Sequence, residues 1–336
     1  MIVVTGGAGF IGSALVAALN RGGCDDIVVV DAVDHERKER NLRPLRYRSL
    51  VGIADFRREL AAGGWDDAGI TGIVHLGACS DTTEHNWDYL RDNNVDYSMA
   101  LIGWSRDHGV RCVYASSAAT YGDGGLGFSD DPALFDRLQP LNPYGRSKLI
   151  VDIRARDHGL LATAAGVRYF NVFGPNEWHK GGMRSVVNRK FPEVRDEGRI
   201  TLFKSYHPGY ADGGQERDFI CVHDAVDATL WLLDHPEVGG VFNVGTGEAR
   251  TWNDLARPMF RALGRPENIV YIEMPGTLRP QYQYHTRADI SRLRAAGYTR
   301  PFTPLDAAVE DYVRNHLVPD LHLNEAPLVG RGGDGG

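Results

Sequence analysis

The chain opens with "MIVVTGGAGFIG", and no other stretch restricts the fold as much. A β-branched run the length of one strand ends in Gly6, Gly9 and Gly12, spaced three apart, and a helical pattern follows over 10–21. Glycines in such a turn let backbone approach a pyrophosphate. The helix behind them offers free N–H groups at the positive end of its dipole. The spacing is G-x-x-G-x-x-G rather than G-x-G-x-x-G, which points to a separate branch of dinucleotide binders. Further apolar runs stand at 27–31 "IVVVD", 72–78 "GIVHLGA", 111–117 "RCVYASS" and 165–174 "AGVRYFNVFG", with helical stretches at 86–107 and 143–157. Near-continuous apolar strands are covered on both faces. Strands alternating with helices predict an α/β fold, a Rossmann-type doubly wound parallel sheet with right-handed crossovers.

After residue 175 the pattern loosens, and glycine, proline and charge dominate 175–182 and 204–216. We therefore expect a dinucleotide-binding domain over 1–174, with segments near 218–235 returning to it. A smaller mixed α/β substrate lobe is expected over 175–322. The glycine-rich end, 323–336, has too little apolar content to pack and is expected to be a disordered tail.

A net charge of −7 without a basic block shows no electrostatic footprint for nucleic acid. No apolar run reaches the length of a membrane span, and the first residues carry no leader pattern, so a cytoplasmic location is expected. Cys24, Cys79, Cys112 and Cys221 are scattered and suggest no disulfide framework. The twelve histidines form neither H-x-x-x-H nor a Cys/His cluster, so no metal site is expected. His75, inside a strand, reads as a core histidine, and His179 is a candidate for orienting its neighbour Lys180.

Asp31 closes the second strand, where an acidic residue meets the adenosine ribose. That favours NAD. The cationic run "DHERKERN" follows at once, and Lys38 or a neighbouring arginine offers a partner for the 2′-phosphate of NADP. Ser117 ends the fourth strand, at the sheet edge where doubly wound folds place ligands. In "NPYGRSK", Tyr144 and Lys148 are four apart and share a helix face. A free tyrosine ionises near ~10, and a nearby ammonium lowers that value. Ser117, Tyr144 and Lys148 together suit removal of a proton from an alcohol while its carbon gives up hydride.

"TGGAGFIG", "SSAATYG", "YGRSK" and "RYFNVFGP" together resemble the extended short-chain dehydrogenase/reductases that act on nucleotide sugars. "HLGACSDTTE", "NEWHKGGM", "ERDFICVHD" and "YQYHTRADISRLRAAGYTRPF" are similar to the ADP-heptose 6-epimerase branch of that family, over nearly the whole chain except 123–139 and the tail. The resemblance implies oxidation of the heptose C6 alcohol with tightly held NADP, reorientation of a 6-keto sugar, and return of hydride to its opposite face. One proton carrier must serve each orientation, and the resemblance gives these roles to Tyr144 and Lys180. Without it, Lys180 reads equally as a phosphate-binding or solvent-facing loop lysine.

By the same resemblance Phe10, Ile11, Asp31, Ala32, Lys38, Leu76, Gly77, Ala78, Cys79, Ser80, Asn93 and Val172 fall at cofactor positions. Ser117, Asn171, Lys180, Gly182, Arg189, Phe203, Lys204, Ser205, Arg217 and Tyr282 fall at substrate positions. Arg217 suits a diphosphate, because its planar fork pairs bidentately with phosphate oxygens. The family also implies a homo-oligomer, often a pentamer. The chain departs from the pattern in Gly182 for serine, Arg189 for histidine, Ala32 for asparagine, and a longer loop before Arg217. The alternatives are another nucleotide-sugar epimerase, such as a UDP- or GDP-sugar 4-epimerase, and a dinucleotide-sensing protein without turnover. The intact Ser117, Tyr144 and Lys148 set counts against the sensor. Ala118 and Ala119, which cannot transfer a proton, count against a dehydratase.

Overall fold

The computed structural model describes residues 1–279 and 282–325. Among them, β1 (Ile2–Thr5), β2 (Ile27–Val30), β3 (Ser49–Val51), β4 (Gly72–His75), β5 (Arg111–Ser117) and β6 (Ala164–Tyr169) run in parallel. After them come β7 (Asn171–Phe173), β8 (Ile200–Phe203), β9 (Glu216–Cys221) and β10 (Gly240–Val244), then β11 (Ala249–Thr251) and β12 (Ile269–Ile272). The main sheet has seven parallel strands in the order β10-β6-β5-β4-β1-β2-β3. The chain reverses direction across the sheet between β1 and β4, so the carboxyl ends of those strands form the crevice where such folds bind ligands.

The alternation that defines a strand decides which core each residue enters. Val3 and Val4 are both fully buried, yet Val3 joins one apolar cluster and Val4 the cluster on the opposite face. Each such side chain contributes about 1.5–3 kcal/mol relative to exposure. Helices α1 (Phe10–Arg21), α2 (Glu36–Leu42), α3 (Ile53–Ala61), α4 (Trp87–Leu90), α5 (Tyr97–Asp107), α6 (Pro143–Asp157), α7 (Val186–Pro192) and α8 (Val222–Asp234) follow one another along the chain. Leu15 of α1 and Leu232 of α8 cover one face of the sheet; Phe56 of α3, Leu101 of α5 and Val151 of α6 cover the other. A third core unites α7, β8, α9 (Trp252–Ala262) and, beyond α10 (Ser291–Ala295), α11 (Leu305–Tyr312), through Phe191, Leu202, Phe260 and Val309.

Three sequence expectations change. The helix expected over 86–107 is α4, a π-helical turn over Arg91–Asp96, and α5, because Asn94 turns inward to bond the 79 backbone. The strand expected over 165–174 divides at Phe170, whose N–H reaches the Val244 carbonyl at 3.0 Å, and β7 leaves to pair with β9 in a second sheet. Residues 323–325, expected in the disordered tail, are packed. Leu323 is buried and its N–H donates to Asn176 Oδ1 at 2.9 Å, while Glu325 pairs with Arg40 at 2.9 Å. The remainder of that tail, 326–336, lies outside the described residues. No helix among the described residues is long and apolar enough to cross a membrane.

Candidate active site

A cleft of about 870 Å³ opens at the carboxyl ends of β1, β4 and β5. All cofactor positions expected from the sequence border it, and so do Ser117, Asn171, Lys180, Gly182 and Arg189. The floor is the glycine turn. Gly6 has φ +69°, a region that favours glycine, and a Cβ at Gly12 would stand 2.1 Å from the Gly6 carbonyl oxygen. The close approach of α1 to the turn therefore demands hydrogen at position 12. Gly9 caps α1 without any side-chain hydrogen bond, so the first N–H groups of the helix face the cleft uncapped. A backbone cradle that a Cβ would fill, ending on an uncapped helix, fits the pyrophosphate of a dinucleotide.

Asp31 is buried at the end of β2. Its Oδ2 accepts the Ala8 N–H at 2.9 Å, and its Oδ1 accepts the Ala32 N–H at 2.7 Å and the Lys38 ammonium at 3.1 Å. The opposite wall is the 76–80 run. Gly77 N–H donates to Thr5 Oγ1 at 3.0 Å, and Cys79 N–H donates to Asn94 Oδ1 at 2.8 Å. Asn94 then donates to Ser147 Oγ at 2.9 Å and so ties this wall to α6. His75 is a buried core residue between Thr5 Oγ1 (2.6 Å) and Ser98 Oγ (2.9 Å), held neutral by burial and by Lys148, which push it down to about 3.

Asn142 caps α6 and Pro143 opens it, which places Tyr144 in the first turn. Gly145 lets this turn press on the end of β5, since a Cβ there would meet the Ala119 carbonyl at 2.6 Å. Tyr144 and Lys148 share a face and both border the cleft. The Lys148 Nζ donates to the Ala115 carbonyl at 3.0 Å, and burial lowers it to about 8 against the opposing pull of Asp152 and Cys79. Burial raises the Tyr144 phenol, and a hydrogen bond with Ser117 opposes that rise. Spacing on a helix could not reveal the strand carbonyl that anchors the ammonium.

Lys180 lies in a short helical turn, Trp178–Met183, that kinks at Gly181 with φ +54°. The side chain turns into the cleft, with Nζ 5.3 Å from the centre of the Phe10 ring, a cation–π contact over the first turn of α1. Burial lowers the ammonium, and Glu177 opposes. The loop hangs on Glu177, which sequence reasoning missed. Its fully buried carboxylate accepts from Ser185 N–H, Ser185 Oγ (2.6 Å), Tyr312 OH (3.1 Å) and Gly174 N–H (3.4 Å). A second anchor joins the far end of the chain. Trp178 stacks on His322 with ring centres 4.4 Å apart, and His322 Nδ1 lies 2.6 Å from Asn41 Oδ1. Asn41 Nδ2 also lies 3.4 Å from His179 Nδ1.

Five expected substrate positions lie outside the lining of the cleft. Arg217 and Tyr282 stand behind Trp252, which does line it. The Arg217 guanidinium lies 5.3 Å from the Tyr282 ring centre and 5.7 Å from that of Trp252, and Trp252 Nε1–H donates to Tyr282 OH at 3.0 Å. Arg217 is buried, donates to the Glu216 carbonyl at 2.7 Å, and forms no ion pair among the described residues. Phe203 ends β8, Lys204 and Ser205 follow it, and none of the three borders the cleft; Lys204 pairs with Glu273 at 2.7 Å on the surface.

Comparison with known proteins is consistent across sequence and structure. Residues 2–245 match the model of the NAD dependent epimerase/dehydratase family. The chain is 51% identical over 319 residues to the ADP-L-glycero-D-manno-heptose-6-epimerase of Nitratidesulfovibrio vulgaris (strain DP4), covering 94% of this chain and 98% of that one. It is 45% identical over 318 residues to the enzyme of that name from Alkalilimnicola ehrlichii, covering 93% and 96%. The crystal structure of the Helicobacter pylori ADP-L-glycero-D-manno-heptose-6-epimerase superposes with a TM-score of 0.78 at 27% identity, covering 94% of this chain and 95% of that one.

Proposed function

The chain belongs to the NAD dependent epimerase/dehydratase family, and from that premise we propose that it inverts C6 of ADP-D-glycero-D-manno-heptose to give ADP-L-glycero-D-manno-heptose. It is a nucleotide-sugar epimerase, an isomerase with no net oxidation. The observation that carries the reading is the pair of proton carriers on one cleft. Tyr144 with Ser117 stands at the end of β5, and the Lys180 ammonium reaches in over Phe10 from the opposite lobe.

Gly6, Gly9, Gly12 and the head of α1 would hold the dinucleotide's pyrophosphate, with the 76–80 run lining the same cleft. A nicotinamide cofactor bound there would supply the hydride acceptance at C6 and the hydride return. Tyr144, ionised when the Lys148 ammonium and the positive charge of a bound nicotinamide offset its burial, would accept the C6 hydroxyl proton as the carbonyl forms, with Ser117 Oγ hydrogen-bonded to the same oxygen. The 6-keto sugar would turn over with its diphosphate held; Arg217, buried behind Trp252, could serve as the holding cation only if Trp252 moves aside. Lys180 then donates a proton to the new alkoxide from the other side. Tyr144 has gained one proton and Lys180 has lost one, and exchange with water restores both. Lys180 suits this task because burial brings its acidity closer to neutral. The cofactor is NADP. Lys38, held against Asp31 on the cleft, would offer a cation to a 2′-phosphate, which supports this choice over NAD.

The test is to incubate the purified chain with ADP-D-glycero-D-manno-heptose and follow C6 by NMR, and to weigh the nucleotide released on unfolding. Inversion and a mass matching NADP are expected. An unchanged heptose beside turnover of a UDP- or GDP-sugar sinks the substrate. The Lys180→Ala variant is expected to fold and keep its nucleotide while losing about 10²–10⁴ in rate. Full activity in that variant rejects the second proton carrier.

A further inference from the structure

Where α11 ends the helix widens. Val318 N–H reaches back five residues to the Val313 carbonyl at 2.9 Å, and Leu321 N–H reaches that of His316 at 2.9 Å. Val313–Leu317 thus form a π-helical turn. Along an α-helix five residues span about 1.4 turns, which sends two side chains to different faces. The wider turn instead brings Asp311 and His316 to one side. His223, the second residue of α8, faces them across the junction of the two lobes. One ligand atom from each of His223, Asp311 and His316 lies within 4.8 Å of the other two.

Two further features suit an ion there. His316 Nδ1 lies 3.0 Å from the Leu321 carbonyl oxygen, which can only accept. The Nδ1 therefore carries the proton, and the Nε2 lone pair is left to ligate. This carbonyl-anchored tautomer is the usual support of a metal-bound imidazole. Asp311 is oriented in turn by Asn315 Nδ2, 2.6 Å from its Oδ1. The second feature is a cavity of about 130 Å³ bordered by His223, Asp311, Thr303 and Cys221, room for an ion with its water. Phe173 borders both this cavity and the cleft, so β7 stands between the cluster and the reacting sugar.

We propose that His223, Asp311 and His316 form a site for a divalent first-row transition metal, zinc foremost, which clips α8 of the nucleotide-binding half to α11 of the substrate lobe. Two imidazoles and a carboxylate are a zinc donor set, and a water from the cavity completes the tetrahedron. The sequence reading expected no metal site, because the three residues follow no recognised spacing and two of them meet only through the π turn.

The experiment strips the full-length chain with EDTA and titrates it with Zn²⁺ and, separately, Co²⁺. Metal content after gel filtration, Tm and the visible cobalt spectrum are read. One zinc per chain, a Tm that climbs with free zinc, and cobalt d–d bands without thiolate charge transfer are expected. His223→Gln and His316→Gln should each weaken zinc at least about tenfold, since even the loss of a supporting hydrogen bond costs that much. Both variants should keep their nucleotide. A wild-type chain that retains no metal and shows neither the Tm rise nor the bands overturns the site. So does zinc that stays on the His223→Gln/His316→Gln double variant, or a thiolate band that assigns the ion to a cysteine. None of these readouts depends on turnover.

Discussion

The two walls of the cleft are built by different means. On the nucleotide side the shape is set by backbone. Gly6, Gly9 and Gly12 lie within one turn, and α1 meets β1 with no room for a side chain at position 12. On the Lys180 side the shape is set by polar side chains that come from far along the chain. Glu177 reaches Tyr312 of α11, and Asn41 of α2 reaches His322 beyond it. A backbone cradle gives fixed donors at almost no rotamer cost, as a rigid pyrophosphate requires. A loop hung on side chains can release and reform, as the proposed role of Lys180 would require.

The largest effect is expected from breaking the backbone wall. Gly12→Ala forces a Cβ to within 2.1 Å of the Gly6 carbonyl. Moving α1 away costs more than the 1–3 kcal/mol of ordinary overpacking, at about 3 kcal/mol or above. The purified variant should carry little nucleotide and melt many degrees lower; absorbance of the released nucleotide and Tm check it. Normal nucleotide content would mean that the turn relaxes and that the cradle is not rigid. A smaller, separable effect follows from the other wall. Glu177→Gln replaces one acceptor oxygen with an N–H₂ facing Ser185, Tyr312 and Gly174 donors. It should cost about 1–3 kcal/mol and lower kcat while bound nucleotide stays at one per chain. Loss of nucleotide in this variant would erase the distinction between the walls.

The same difference decides what could be read in the sequence. The strands announce themselves as "IVVT" and "IVVV", and α6 begins at Pro143 and ends at Asp157 because an Asn-Pro start and a helical face are local signals. The glycine turn is legible for the same reason, since the strain it relieves lies within seven residues. Glu177 left no mark, because its partners Ser185 and Tyr312 become neighbours only once α7 and α11 pack. Of the adjacent Asn93 and Asn94, the resemblance favoured Asn93, which borders the cleft. Asn94, buried, holds the 76–80 wall to α6, and only the π turn over 91–96 decides which of the two faces inward. His322 stands beside the stretch expected to be a tail, and nothing periodic marks it as part of the Lys180 support.

The smallest effect is a pH dependence that sharpens the contrast. His322 is buried against Trp178; its Nδ1–H donates to Asn41 Oδ1, and its Nε2 has no partner among the described residues. A second proton there would be buried and unpaired, and burial with Arg40 lowers the imidazole to about 4. In the unfolded chain a histidine titrates near ~6.5. Between these values the unfolded state binds a proton that the folded state refuses, so stability rises with pH across the window. It is complete above about 6.5 and is lost as pH falls towards 4. His322→Gln removes this term, worth about 1 kcal/mol at pH 5.5. The Tm of the variant should therefore fall less than that of the parent between pH 7 and 5. A residual slope should remain, because His179 in the same wall, lowered to about 4, and His75 in the backbone-built half, pushed down to about 3, titrate in the same sense and are untouched by the change. Equal slopes in the two proteins would take the acid sensitivity off His322 and leave it to His179 and the β1–β4 core.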